Sequence, residues 1–160
     1  MIATVRATIL RFILLVLLQA LVIDHIDLAH GWVVPYVYVL FILLLPFDTP
    51  AWATLVLGFL IGMTMDLFSS TPGMHASACV LMAFGRLLML RVLVPREGYD
   101  VGKRPIIQHM GLAWFMTYAG VLIVMHHLWL FFVEVYRFDD FLSTLFRALM
   151  SAAATLALCL

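Results

Sequence analysis

Asp66 is the residue whose position most constrains the available chemistry. It stands in an apolar run, Gly58-Phe-Leu-Ile-Gly62-Met-Thr-Met-Asp66, and a carboxylate among such side chains is unfavourable unless it faces a polar interior. Residues 58, 62 and 66 recur at i, i+4 and i+8, so on a helix they form one stripe. Two glycines on that stripe let a second helix approach closely, and the carboxylate then points into the contact. With His75 and Ser69 or Ser70 it has the residue types of a hydrolase. However, no nucleophile elbow surrounds either serine, and Ser69-Ser-Thr-Pro-Gly73 reads as a turn. The six histidines invite a metal reading, with Asp24, His25, Asp27 and His30 close together. They include no H-x-x-x-H pair, and the two cysteines form no C-x-x-C. His126 and His127 are adjacent, so on a helix they diverge by about 100°. No metal or cofactor is expected, and a structural role for Asp66 is the remaining alternative.

The elements that hold these residues follow from composition. Of 160 residues, 66% are hydrophobic and 11% charged, against about 45–50% and about 25% in soluble domains. A chain this short cannot bury such an excess in a core of its own, so the apolar surface is expected to face lipid. The formal net charge is zero, which argues against a nucleic-acid partner. A spanning helix needs about 20 apolar residues. Six such runs divide the chain into an all-α integral membrane bundle, a single transmembrane domain over 1–160. The spans are placed at 9–26, 32–47, 51–68, 74–94, 107–133 and 141–160. Arg6 and Arg11 before the first run resemble the start of a signal peptide, but no small-x-small cleavage site follows, so the first span is read as retained. Pro35 is placed in the first turn of the second span, where a missing N–H is tolerated.

Basic residues near span ends give the direction. Arg6 and Arg11 flank the first span on its N-terminal side, and Arg91, Arg96, Lys103 and Arg104 lie around the link between the fourth and fifth. With six spans these fall on one side, which is therefore cytoplasmic, with both termini. The other side carries Asp24, Asp27, Glu134, Asp139 and Asp140, with only Arg137 opposing them. The basic link is read as a topology determinant that also touches anionic lipid, at about 1 kcal/mol per basic side chain. Trp32, Trp114 and Trp129, with Tyr36, Tyr38, Tyr118 and Tyr136, are expected as interfacial anchors. Cys79 and Cys159 are expected as small apolar packing residues.

At about 1.5 Å per residue, Asp66 sits in the outer half of the membrane with His75, His126 or His127, and Arg147. Two partners are expected for it: Arg147, or the N-terminus of the span that begins near Gly73 and His75, since a helix N-terminus favours an anion. Arg86 either snorkels to the headgroups or donates inward to helix-end carbonyls.

The run Gly58-x-x-x-Gly62-x-x-x-Asp66-Leu-Phe, followed by Ser-Ser-Thr-Pro-Gly-Met-His-Ala, resembles the central motif of the rod shape-determining protein MreD family. The specific part covers Gly58 to Ala78, and the hydropathy pattern fits over nearly the whole chain. The resemblance implies a component of the bacterial inner membrane that is not an enzyme. Its implied fold is similar to the S component of energy-coupling-factor transporters. Its implied partners are a bitopic MreC-like protein, the RodA polymerase with its transpeptidase, and the MreB filament. Gly58, Gly62 and Asp66 would be the conformational centre of the bundle.

Three functions are weighed. The leading one is a non-catalytic scaffold that controls peptidoglycan synthesis and cell shape through partner membrane proteins. The second is a small-molecule-binding subunit similar to a vitamin transporter S component, with Asp66, His75, His126 and Arg147 lining an outward pocket. The third is an intramembrane enzyme acting on lipid-linked substrates.

Overall fold

The structure, a computed structural model, describes residues 2–135 and 140–160; Tyr136, Arg137 and Asp139 lie outside them. Among the described residues, five helices are long and apolar enough to cross a membrane. They are α1 (Ile2–Leu21), α3 (Ala51–Ser69), α4 (Met74–Val92), α6 (Leu112–Val135) and α7 (Phe141–Leu158). Two one-turn helices, α2 (Leu40–Leu43) and α5 (Ile107–Met110), lie between them. No strand occurs among the described residues. α3 packs mainly on α4, α4 on α6, and α6 on α7, while α1 leans on α3 and on the segment before α2. α1 is peripheral: Ile9, Leu10, Ile13, Leu14, Leu17 and Leu18 are all exposed, as an apolar helix facing lipid requires.

The expected span over 32–47 is not a span-length helix. Its only helical parts are a 3-10 turn, Val37–Val39, and α2. Pro35 is not in the first turn of a spanning helix but in irregular chain, and Pro46 follows the last helical residue by three positions. The two prolines bracket a run too short for a spanning helix, and each disfavours helix in the residue before it. It nevertheless traverses the bundle. Pro35 meets Gln19 of α1 at the end that carries Asp24 and Asp66, and Leu44 meets Arg11 at the opposite end. The segment is enclosed: Tyr38, Val39, Ile42 and Leu43 are wholly buried.

A non-helical backbone at this depth is tolerated only when buried in protein and supplied with hydrogen-bond partners. Polar side chains on four helices supply them. Gln19 donates to Pro35 O at 3.0 Å and accepts from Val37 N at 2.7 Å. Ser151 and Thr155 of α7 accept from Val34 N and Tyr36 N at 3.0 and 2.9 Å. Tyr118 of α6 donates to Leu43 O at 3.0 Å. Arg11 donates to Leu44 O at 3.2 Å, and Arg86 of α4 to Leu45 O at 2.7 Å.

Smaller differences have local causes. The expected 107–133 span is split, because Gly111 at φ +82° separates α5 from α6. Tyr38 and Tyr118 are not interfacial anchors but core residues with no exposed surface, because each hydroxyl is needed by a buried partner. Cys79 is buried and free, and Cys159 is half-buried and free.

Candidate functional site

The stripe on α3 faces α4. A Cβ on Gly62 would lie 2.5 Å from His75 O and 2.6 Å from Ala76 Cα, and one on Gly58 2.9 Å from Ala83 Cβ. The two backbones touch there, which is what glycine permits. α3 ends at Ser70 in the left-handed region, with its N–H bonded back to Asp66 O. The turn closes at Gly73, φ +84°, and α4 begins at Met74.

Gly73 is the residue before α4 and has no side chain to cap it, so the first N–H groups of α4 need acceptors from elsewhere. Asp66 provides them from the preceding helix. Its Oδ1 accepts from His75 N at 2.9 Å and Thr71 Oγ1 at 3.0 Å; its Oδ2 accepts from Ala76 N at 2.9 Å and Gly73 N at 3.0 Å. Four donors converge on a residue that is 4% exposed. Hydrogen bonds to a charged group are each worth about 1.5–3 kcal/mol, and the helix N-terminus adds a favourable field. The carboxylate is therefore the lock of the α3–α4 hairpin, with both of its oxygens engaged.

Of the two expected partners for Asp66, the start of α4 is the one present. Arg147 instead pairs with Glu134 at 3.7 Å and lies over the Phe131 ring, 4.6 Å from its centroid. His75 contributes its backbone N–H to Asp66 and its ring elsewhere: Nδ1 lies 2.8 Å from the Tyr38 hydroxyl. His126 does not reach Asp66. Its Nε2 lies 2.9 Å from the same hydroxyl and 3.9 Å from Cys79 Sγ, while its Nδ1 is buried without a partner. His127 bonds Ile123 O through Nδ1 and Thr155 through Nε2. Tyr36 packs against the rings of His75, His126 and His127 at 5.3, 6.0 and 5.4 Å. The result is a buried His75–Tyr38–His126 chain beneath Tyr36. No group of three or more ligands able to hold a metal ion occurs among the described residues.

Above this chain, at the same end of the bundle, opens a cavity of about 610 Å³. Asp24, Asp27, Glu134, His75, Tyr36 and Phe68 are among the residues that line it. Of the four residues expected to line an outward pocket, His75 does so, while Asp66, His126 and Arg147 do not.

Arg86 donates inward rather than snorkelling. It is fully buried, its Nε reaches Tyr118 Oη at 3.1 Å, and Nη2 is shared between Leu45 O and Pro46 O at 2.7 and 3.1 Å. Nη1 has no partner. Next to it the basic link is bound down rather than free. Lys103 O accepts from Phe47 N at 3.0 Å, and Tyr99 stacks on Phe47 at 4.2 Å. The Tyr99 hydroxyl reaches Leu90 O, and Trp114 reaches Leu93 O, both at 2.9 Å. Lys103 pairs with Asp100, which holds that carboxyl below its ordinary range, chiefly through their hydrogen bond. Arg91 and Arg96 are exposed, and Arg104 is half-buried.

Gln19, Tyr38, Tyr118, Ser151 and Thr155 were not singled out as site residues by sequence reasoning. One signal for them exists: Ser151 and Thr155 are spaced i, i+4 on α7, and a lone Gln19 interrupts an apolar helix. Both patterns mean that something nearby needs hydrogen bonds.

These features define an all-helical bundle whose five long apolar helices are able to span a membrane. Comparison with known proteins finds no family model, no curated protein and no solved structure that matches the chain.

Proposed function

We propose that the chain is a non-catalytic scaffold of the bacterial inner membrane, of the MreD type, that regulates peptidoglycan synthesis by binding partner membrane proteins. The observation that carries this reading is the engagement of Asp66: the strongest candidate for catalysis is consumed by capping α4. The remaining polar side chains of the interior serve the buried 35–46 backbone in the same way. Counting that segment, the chain crosses the membrane six times, five times as a long helix and once as a broken one. Both ends then lie on the cytoplasmic side with Arg91, Arg96, Lys103 and Arg104, and Asp24 and Glu134 lie outside.

Such a molecule offers partners its lipid-facing helix sides and its short loops. Lateral packing between helices is the available mode, and a bitopic MreC-like protein is the expected partner, with the RodA polymerase, its transpeptidase and the MreB filament further along the same assembly. The test is crosslinking in intact membranes followed by purification. Recovery of an MreC-like bitopic protein in stoichiometric amount supports the scaffold; its absence from every crosslinked species refutes it.

A second reading, a small-molecule-binding membrane subunit similar to a transporter S component, is favoured by the 610 Å³ cavity. A volume of this size is ordinary for a ligand site. A compound that stays bound in one-to-one ratio through purification would support it.

A further inference from the structure

We propose that the His75–Tyr38–His126 chain is an acid-sensitive latch, in which the uptake of two protons releases the buried 35–46 segment from α4 and α6. The latch joins three elements through one atom. The Tyr38 hydroxyl, on the segment, lies 2.8 Å from His75 Nδ1 of α4 and 2.9 Å from His126 Nε2 of α6. Protons can be counted along it. Four places exist for them: His75 Nε2, the two hydrogen bonds, and His126 Nδ1. Two neutral imidazoles and a phenol bring three, so one place is empty. His126 Nδ1 is buried without a partner, and a buried N–H left without an acceptor is rarer than an acceptor left bare. The empty place is therefore His126 Nδ1. His126 donates through Nε2 to Tyr38, and Tyr38 donates to His75 Nδ1.

The closed chain has no place for a fourth proton, whichever ring receives it. All four places would be filled, and the N–H at His126 Nδ1 would meet no acceptor, in a residue with no exposed surface. No carboxylate pairs with either ring among the described residues. Asp66 of α3 holds the backbone of His75 rather than its ring. Asp24, just beyond α1, holds Gln19, and Glu134 of α6 faces Arg147 of α7. His127, whose ring centroid lies 5.4 Å from that of His126, is tied to Ile123 O and Thr155 instead. Tyr36 and Cys79 also lie against the chain, and such groups lose their protons only in alkali. Once parted from Tyr38 and in water, each of the two rings takes a proton below about pH 6.5. The parted arrangement then binds two more protons than the closed one. The closed arrangement is thus fully favoured above about pH 6.5 and loses ground as pH falls below it. His75 lines the cavity, and protons reach the latch there.

Cys79 reports the state of the latch, since its buried thiol lies 3.9 Å from His126 Nε2. The chain carrying Cys159→Ala, in nanodiscs of neutral lipid, is treated with dithiodipyridine, a thiol reagent that works in acid. Its labelling rate is measured at about pH 7.5 and about pH 5.5 and divided by that of glutathione at the same pH, on either side of the ordinary histidine value. Uptake of two protons on opening raises this ratio about a hundredfold between the two, and uptake of one raises it about tenfold. The hundredfold rise is expected. A tenfold rise, or none, overturns the latch. A second arm replaces the rings with amides whose oxygens can accept from the same hydroxyl but do not titrate. The double variant His75→Asn with His126→Gln is expected to be labelled at the same low ratio at both pH values, and a ratio that still rises in acid overturns the assignment to these rings. Where the double variant does not fold, His126→Gln alone carries this arm. One titrating ring then remains, and a rise of about tenfold is expected; a full hundredfold rise in that variant overturns the pairing.

Discussion

The guanidinium of Arg86 donates to the carbonyl of Leu45 at 2.7 Å, across the interface between α4 and the broken crossing. A charge with no exposed surface is retained there because two carbonyls and the Tyr118 hydroxyl need its donors. Arg86→Met fills the volume but leaves those acceptors unpaired, and each buried unsatisfied group costs about 1–3 kcal/mol. A loss of about 2–4 kcal/mol is expected, read as a fall in the melting temperature of the detergent-purified protein. Arg86→Lys keeps the charge with a single point donor in place of a fork and is expected to fall between the two. A melting temperature unchanged in Arg86→Met would refute the role.

Asp66→Asn exchanges one acceptor oxygen for an amide donor, which then opposes N–H groups at the start of α4. At least two of the four bonds are lost, for about 3 kcal/mol in all. Amide hydrogen exchange is the sharper readout: residues 73–77 are expected to lose protection while α6 keeps it. Uniform loss of protection, or none, would contradict a local cap.

Gly62 and Gly120 make a matched pair. A Cβ on Gly62 meets backbone at 2.5 Å, whereas on Gly120 the nearest atom is Leu156 Cδ2 at 3.8 Å. Gly62→Ala is expected to destabilise by about 1–3 kcal/mol through overpacking. Gly120→Ala is expected to be neutral or to gain up to about 1 kcal/mol from helix propensity. Thermal unfolding of the two single variants side by side checks this, and equal effects would refute backbone contact between α3 and α4.

Orientation has its own test. Asp27→Cys in a background with Cys79 and Cys159 replaced by alanine is expected to react with an impermeant maleimide in intact cells. Asp100→Cys is expected to react only after the membrane is opened. The reverse pattern would invert the assignment of sides.

Much of this was readable in the sequence, and the part that was not has a single cause. Long apolar runs became α3, α4 and α7 nearly at their expected bounds, because lipid-facing helices are specified by length and hydropathy alone. The capping role of Asp66 was one of two stated alternatives, since glycine spacing and helix direction restrict what a carboxylate at that depth can meet. The 32–47 run defeated the same reasoning. Hydropathy reports that a segment avoids water, not whether its backbone is helical, and a segment sheathed in protein is as apolar as one sheathed in lipid. Tyr38 and Tyr118 were misassigned for a related reason: an aromatic with a hydroxyl suits an interface or a buried hydrogen bond equally well.

Two partners of the broken crossing are distant along the chain: Ser151 serves Val34 from 117 residues away and Thr155 serves Tyr36 from 119. While the protein is being synthesised, residues 34 to 45 emerge long before those hydroxyls do. A stretch with open amides and carbonyls cannot be released into hydrocarbon on its own. In the six-crossing arrangement proposed above, insertion would therefore not proceed as independent delivery of one hairpin after another. The early part of the chain would wait, shielded by the insertion machinery or near water, until α7 arrives to complete it.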